Sequence, residues 1–223
     1  AKFSVNSHNN GVNNSYAMFR NSITLEQYLQ SNVIASPITI LDCAPDADGA
    51  CAILLTNDRV SLSNNNYVRV AGSSMSNSTL AVHNREDILS FESAYNSAKI
   101  AYDQAGITAS QIDLAEIYDQ FSVYAAMSME ACGFAEKGHG TDIAQRDDIQ
   151  IDGSVPISTF GGLKSRGNPG GATGVYQIAE IALQLVGDAG QNQVKDPKWA
   201  LAQCLGSSGA NAVTHILERS DIV

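Results

Sequence analysis

The chain has 223 residues, 44% of them hydrophobic and 16% charged, with a formal net charge of −10. That length suits one sizeable globular domain, or one domain plus part of another. The acidity leaves no basic footprint for nucleic acid or anionic lipid, so an anionic ligand would have to find local cations such as Lys164 and Arg166.

Residues 1–32 contain seven Asn and many Ser, which suits an irregular, hydrogen-bonding excursion rather than a core element. Within it, Thr24-Leu25-Glu26-Gln27-Tyr28-Leu29 predicts one or two helical turns capped by Thr24. The apolar run Ala50-Cys51-Ala52-Ile53-Leu54-Leu55, bounded by turn residues, predicts a buried strand. The polar stretch 61–66 reads as a linker and places a domain boundary between residues 62 and 63. Beyond it, Tyr67–Gly72 predicts a strand. Apolar residues at 91, 94, 95, 98, 101, 102 and 105 predict a helix stopped by Gly106. Ile112–Tyr118 predicts a strand, Ser122–Cys132 a helix, and Val155–Phe160 another strand. A third helix follows, with apolar positions 175, 178, 179, 182, 185 and 186. Two strands, Ala200–Leu205 and Asn211–Leu217, close the chain around a glycine turn. The order β-α-β-α-β-α-β-β predicts an α/β fold with a mostly parallel five-stranded sheet covered by helices.

No apolar run approaches the ~20 residues needed to span a bilayer, so membrane insertion is not expected. The first residues show no apolar segment of signal-peptide type. The four cysteines, at 43, 51, 132 and 204, form no CxxC pair and no zinc-type cluster. A reduced, cytoplasmic protein with thiols buried as small hydrophobes is the expectation.

Six glycines between 161 and 174 open onto the last helix. Such a loop lets backbone approach a ligand and leaves free N–H groups at the helix start. A P-loop is excluded, because Gly174 is followed by Val175-Tyr176 rather than Lys and Ser or Thr. The spacing also misses the dinucleotide fingerprint. Two readings stay open: an active-site loop presenting Asn168 to a substrate carbonyl, or a tight turn with no chemistry. Among the histidines, His8 falls in the irregular segment, His83 and His139 in loops, and His215 on a late strand.

The segment Gly161-Gly162-Leu163-Lys164-Ser165-Arg166-Gly167-Asn168-Pro169-Gly170-Gly171-Ala172-Thr173-Gly174 resembles the thiolase motif G-G-x-x-x-x-G-H-P-x-G-A-T-G. Cys204-Leu205-Gly206 resembles the thiolase C-x-G motif. Tyr118-Asp119-Gln120-Phe121 stands where thiolases carry N-E-A-F or, in the sterol-carrier type, H-D-C-F. Asp42–Leu55 resembles the last strand of a thiolase N-terminal half. The resemblance covers nearly the whole chain, and it is nearest to the archaeal and sterol-carrier branch.

The resemblance implies a fold of two similar halves. Residues 1–62 would be the tail of the first half, and 63–223 the C-terminal domain. It also implies an acyl-CoA C-acyltransferase of lipid metabolism, such as an acetyl-CoA acetyltransferase, working on 3-ketoacyl-CoA. Its acyl-accepting cysteine would lie on an N-terminal half, so this chain alone should be inactive. Coenzyme A would be a substrate, with no permanently bound cofactor or metal. The N-terminal half and further copies of the enzyme in a homo-oligomer would be the partners. Cys204, Asn168 and Tyr118 are the implied catalytic residues, and Gly206, Gly162, Gly171, Phe121 and His139 would line the substrate. In thiolases the G-H-P histidine activates the nucleophile, the C-x-G cysteine moves a proton at the substrate α-carbon, and the N-E-A-F asparagine holds a water. Here Asn168 replaces the histidine; it cannot titrate near neutral pH but its amide can donate to an oxyanion. Tyr118 replaces the asparagine, and related aldolases have a similar Tyr-Asp-x-Phe motif. A retro-aldol lyase of sterol side chains and a non-catalytic acyl-CoA- or lipid-binding module are the alternatives.

Overall fold

The computed structural model describes residues 1–57, 67–206 and 208–220. Four strands form the main sheet: β3 (Val68–Asn77), β4 (Leu114–Glu116), β5 (Trp199–Gly206) and β6 (Asn211–Arg219). Their spatial order is β3-β6-β5-β4. β4 and β5 are parallel, and β6 runs antiparallel to both β5 and β3. β3, β4 and β5 therefore share one direction, and β6 alone opposes them. A short hairpin of β1 (Val33–Ala35) and β2 (Ile38–Thr39) stands apart.

The expected fifth strand at 155–160 is reduced to a parallel bridge between Ile157 and Ala115. Local chemistry explains the shortfall. Pro156 offers a carbonyl to the Ala115 N–H but has no N–H to return, and Ser158 turns to a φ of 49°. The predicted Ile112–Tyr118 strand shrinks with it to Leu114–Glu116.

Residues 1–32 depart most from expectation. Lys2–Gly11 forms a helix, α1, that buries Phe3, Ser4, Asn6, Ser7, His8, Asn10 and Gly11. Its polar side chains take the place of a strand partner. Asn6 and Asn10 donate to the Ile157 carbonyl, and Asn10 also donates to that of Ser158. Asn192 ties the carbonyls of Asn10 and Thr159 together. Irregular backbone at 157–160 must place its polar groups somewhere, and a polar helix supplies the partners. The expected turn at Leu25–Leu29, α2, is present, and Thr24 and Gln27 form a reciprocal cap.

The expected strand at 50–55 is absent. This stretch is irregular, with Leu54 89% and Leu55 77% exposed, and no described strand lies beside it. The expected boundary at 62/63 and the linker at 61–66 lie outside the described residues. Residues 1–57 are not set apart from the rest, since α1 packs on α4 (Ser122–Ala131), α5 (Gly140–Gln145) and α6 (Gly162–Arg166).

The sheet is covered on both faces. Alternation along β5 sends Ala200 and Ala202 to one face, where Ile181 and Leu185 of α7 (Thr173–Val186) pack. Leu201 and Ile216 face the other way, toward Ala101, Ala125 and Met129 of α3 (Glu92–Ala105) and α4. Gly106, at φ 71°, ends α3 as expected.

α7 reverses the expected face. Of the six predicted apolar positions only Leu185 is buried, whereas Thr173, Gln177, Glu180 and Gln184 are buried with it. Each of the four has a partner: Thr173 on Asn168, Gln177 on the Gln203 carbonyl, Glu180 on Arg166, and Gln184 on the Asn192 carbonyl. Amphipathic spacing identified the helix, but hydrogen bonding decided which side turns inward.

Candidate functional site

Tyr118 and Asp119 follow β4, Asn168 sits between α6 and α7, and Cys204 lies near the end of β5. Cys204 shares the α7 face of the sheet with Ala200 and Ala202, as period-two alternation requires. A Cβ added to Gly174, in the first turn of α7, would lie 3.5 Å from the Cys204 Sγ. A glycine here keeps that turn close to the thiol.

The glycine loop is held from beneath by Asp119. This buried carboxylate accepts from the Leu163 N–H (2.7 Å), the Ser158 hydroxyl (3.1 Å) and the Ser7 hydroxyl (3.2 Å). A side chain on Gly162 would place its Cβ 2.2 Å from the Asp119 Oδ2, so only glycine fits. The loop is pinned from the other side by residues 45–47. The Asn168 N–H donates to the Pro45 carbonyl (2.8 Å), and the Ala47 N–H donates to the Asn168 carbonyl (3.0 Å).

The Asn168 side chain is equally constrained. Its Oδ1 accepts from the Gly170 N–H (3.1 Å) and from the Thr173 hydroxyl (3.2 Å). Asn168 and Cys204 both lie close enough to bear on the Tyr118 phenol. The Tyr118 hydroxyl donates to the Gln120 Oε1 at 3.4 Å. Burial and the Cys204 charge push the Tyr118 phenol up, while Asn168 pulls it back. Burial pushes the Cys204 thiol up to about 11, against the pull of Arg166. At neutral pH Cys204 is therefore a thiol, able to give a proton rather than take one.

The structure thus brings Tyr118, Asn168 and Cys204 together. Phe121 stands next to them in sequence, bridged to Cys43 and edge-on to Tyr124 at 5.2 Å. Gly206 lies at the end of β5, where a Cβ would meet the Asn211 side chain at 2.1 Å. Gly171 is on the open side of the loop, with nothing within 4 Å of a Cβ built on it. His139 is exposed at the start of α5, its Nδ1 2.8 Å from Asp142, and none of its described contacts reaches the three.

Lys164 and Arg166 are not surface cations awaiting an anion. Both are buried. Lys164 donates to the Cys43 carbonyl (2.8 Å) and lies over the Phe19 ring. Arg166 pairs with Glu180 at 2.6 Å and stacks on Tyr176. His8, expected in an irregular segment, lies on α1; its Nδ1 is 3.1 Å from the Asn21 carbonyl and its ring stacks on Phe19. Among the described residues no cluster of His, Cys, Asp or Glu could hold a metal ion, and no helix is long and apolar enough to cross a membrane.

Sequence reasoning missed the buried charges behind the site: Glu116, Glu180 and the role of Arg166. The Glu116 Oε1 accepts from both the N–H and the hydroxyl of Thr159, each at 2.8 Å. Burial and the nearby Glu180 charge push the Glu116 carboxyl up to about 8, against Thr159 and Arg166. An unfolded Glu titrates near ~4.3, so between there and about 8 the folded state holds the extra proton. Stability therefore falls as pH rises through that window. Glu116→Gln keeps the acceptor oxygen and removes the titration. Its melting temperature relative to wild type should climb steadily between about pH 5 and pH 8. Parallel melting curves for the two proteins across that range would refute the assignment.

Comparison with known proteins agrees with this geometry. Residues 74–219 match the family described as thiolase C-terminal domain-like. The acetyl-CoA acetyltransferase of Methanothermobacter thermautotrophicus is 38% identical over 98% of this chain and 57% of its own length. Human sterol carrier protein 2 is 33% identical over 96% of this chain and 40% of its own length. The chain thus spans about half the length of the curated relatives it matches. Among solved structures, an Ltp2-ChsH2(DUF35) aldolase superposes with a TM-score of 0.84 at 22% identity, covering 98% of this chain and 57% of that one. A monomeric SCP2-thiolase-like protein from Mycobacterium smegmatis gives 0.69 at 15% identity, over 99% and 46%. With a sheet, a glycine loop and a C-x-G strand end arranged in this way, the chain belongs to the thiolase C-terminal domain-like family.

Proposed function

We propose that this chain supplies the C-terminal half of a thiolase-type acyl-CoA C-acyltransferase, which makes or breaks the carbon–carbon bond of a 3-ketoacyl-CoA. The convergence of Cys204, Asn168 and Tyr118 at the glycine loop is the observation that supports it. In the cleavage direction the Cys204 thiol returns a proton to the α-carbon of the departing acyl-CoA. The Asn168 amide donates to the oxygen that gains charge. The acyl-accepting cysteine belongs to an N-terminal half, and coenzyme A is a substrate rather than a resident cofactor. The names of the archaeal relatives, acetyl-CoA acetyltransferases, favour the same chemistry. The test is to supply an N-terminal thiolase half and follow 3-ketoacyl-CoA thiolysis over a range of acyl lengths. Cleavage of at least one supports the reading, and none with any chain length overturns it.

A second reading keeps the fold and makes the reaction a retro-aldol cleavage, with Tyr118 as the proton-transferring group. The pull of Asn168 on the Tyr118 phenol, downward against burial, favours it, because a tyrosine base requires its ionised form steadied. An aldolase also stands among the structural neighbours. Tyr118→Phe with full activity would exclude this mechanism.

A further inference from the structure

From the bonds that cross residues 43–47 we infer that Lys164 is a positioning residue, which sets the spacing between the Tyr118–Phe121 turn and Asn168 by anchoring this strap. The inference rests on the reading that Tyr118 and Asn168 belong to the reacting site.

Residues 43–47 lie between the two segments that carry the site. Cys43 is extended (φ −102°, ψ 135°) and forms an antiparallel bridge with Phe121. Asp46 forms a parallel bridge with Asn168. Extended backbone turns the N–H and C=O groups of successive residues to opposite edges. The Ala44 N–H therefore faces one way and donates to the Gln120 carbonyl at 2.8 Å. Gln120 is also the residue whose side chain accepts from the Tyr118 hydroxyl. The odd-numbered groups face the other way. The Pro45 carbonyl accepts from the Asn168 N–H, the Ala47 N–H donates to the Asn168 carbonyl, and the Cys43 carbonyl accepts from Lys164. One short run of chain thus holds both segments, a different one on each edge.

Lys164 supplies a contact that the backbone cannot. Carried back two residues, the register of the Asp46–Asn168 bridge would set the Cys43 carbonyl against the Arg166 N–H. Arg166 is in the last turn of α6 rather than in a strand, and Pro45 has no N–H to return to it. The ladder stops there, and the Lys164 ammonium reaches the Cys43 carbonyl instead, at 2.8 Å. Lys164 is buried, with its ammonium on this carbonyl and over the Phe19 ring. A cationic donor holds a carbonyl more firmly than a neutral one does. The base of Lys164 is anchored as well, because the adjoining Leu163 N–H donates to Asp119. The bonds therefore close a ring: from α6 to the strap through Lys164, from the strap to Gln120 through Ala44, and from the turn back to α6 through Asp119.

The test follows amide hydrogen exchange by NMR in the full chain carrying Lys164→Met, which keeps an apolar stem and removes the donor. Exchange at Ala44, Ala47 and Asn168 should quicken about tenfold, while Leu201 and Ile216, paired in the sheet, keep their rates. Where the chain is paired with an N-terminal half, the same variant should lower kcat roughly tenfold with KM little changed. Unchanged rates at the three amides overturn the inference. Equal quickening of these amides and the sheet overturns it too, because Lys164 would then only stabilise the fold. So does a raised KM with kcat intact, which would make Lys164 a ligand-binding cation. If Lys164→Met fails to fold, Lys164→Gln replaces it; its amide is one bond shorter and falls short of the Cys43 carbonyl, and the same amides decide. The exchange measurement needs no turnover, so it separates a strap that Lys164 does not hold from a reaction wrongly assigned.

Discussion

Glu180→Ala should lower the stability of the chain by about 3–5 kcal/mol, read as a fall in the urea midpoint at neutral pH. The size follows from what the substitution strands. Arg166 and Glu180 are each 5% exposed and meet at 2.6 Å. Among the described residues the Arg166 Nε and Nη2 have no hydrogen-bond partner, and Glu180 supplies the direct bond to Nη1. Burial works against the Arg166 charge, and the charge and hydrogen bond of Glu180 come first among the groups that oppose it. Removing Glu180 takes away that carboxylate and opens a space beside a buried cation. Replacing both members with apolar residues, as in Arg166→Met with Glu180→Leu, should recover most of the loss, because a buried pair stabilises little beyond its own desolvation. A double variant as unstable as Glu180→Ala would mean that packing, and not charge, sets the effect.

The same ion pair marks where the sequence stopped being informative. Helix α3 was legible because its apolar residues recur at helical spacing. The glycine loop was legible because its residues match a motif position by position. Glu180 and Arg166 are fourteen positions apart on different helices, and no local pattern links them. α7 was found by its spacing and then turned over, since the periodicity marks a face without saying which face a buried arginine will need. α1 shows the converse. Its Asn and Ser content favours irregular structure in isolation, yet its amides donate to the carbonyls of a neighbouring segment that a proline had barred from the sheet. The run at 50–55 has strand composition, but a strand requires a partner, and the described chain places none beside it. At the site, Cys204, Asn168 and Tyr118 were all identified from motifs. What the motifs could not give was how Asn168 is held, which depends on Thr173, Gly170 and the backbone at 45–47.

Cys204→Ala, in a protein carrying both halves, should lower kcat for 3-ketoacyl-CoA cleavage by about 10²–10⁴-fold while KM changes little. Deleting one sulfur beside Gly174 costs the fold little, so the loss would be chemical. The pH profile of the unaltered enzyme then reports which way the proton moves. Burial holds the Cys204 thiol up at about 11, so it stays protonated throughout the neutral range. If cleavage uses Cys204 as the proton donor, as proposed, it should run level in kcat between about pH 6 and pH 9. Condensation needs the thiolate, whose share grows tenfold with each pH unit below that value, and its rate should climb in proportion. Asn168 cannot take over the proton, and His8 and His139 are held elsewhere, so neither should flatten that climb. Equal profiles in the two directions, or full turnover by Cys204→Ala, would remove Cys204 from the proton transfer and leave Tyr118 to perform it.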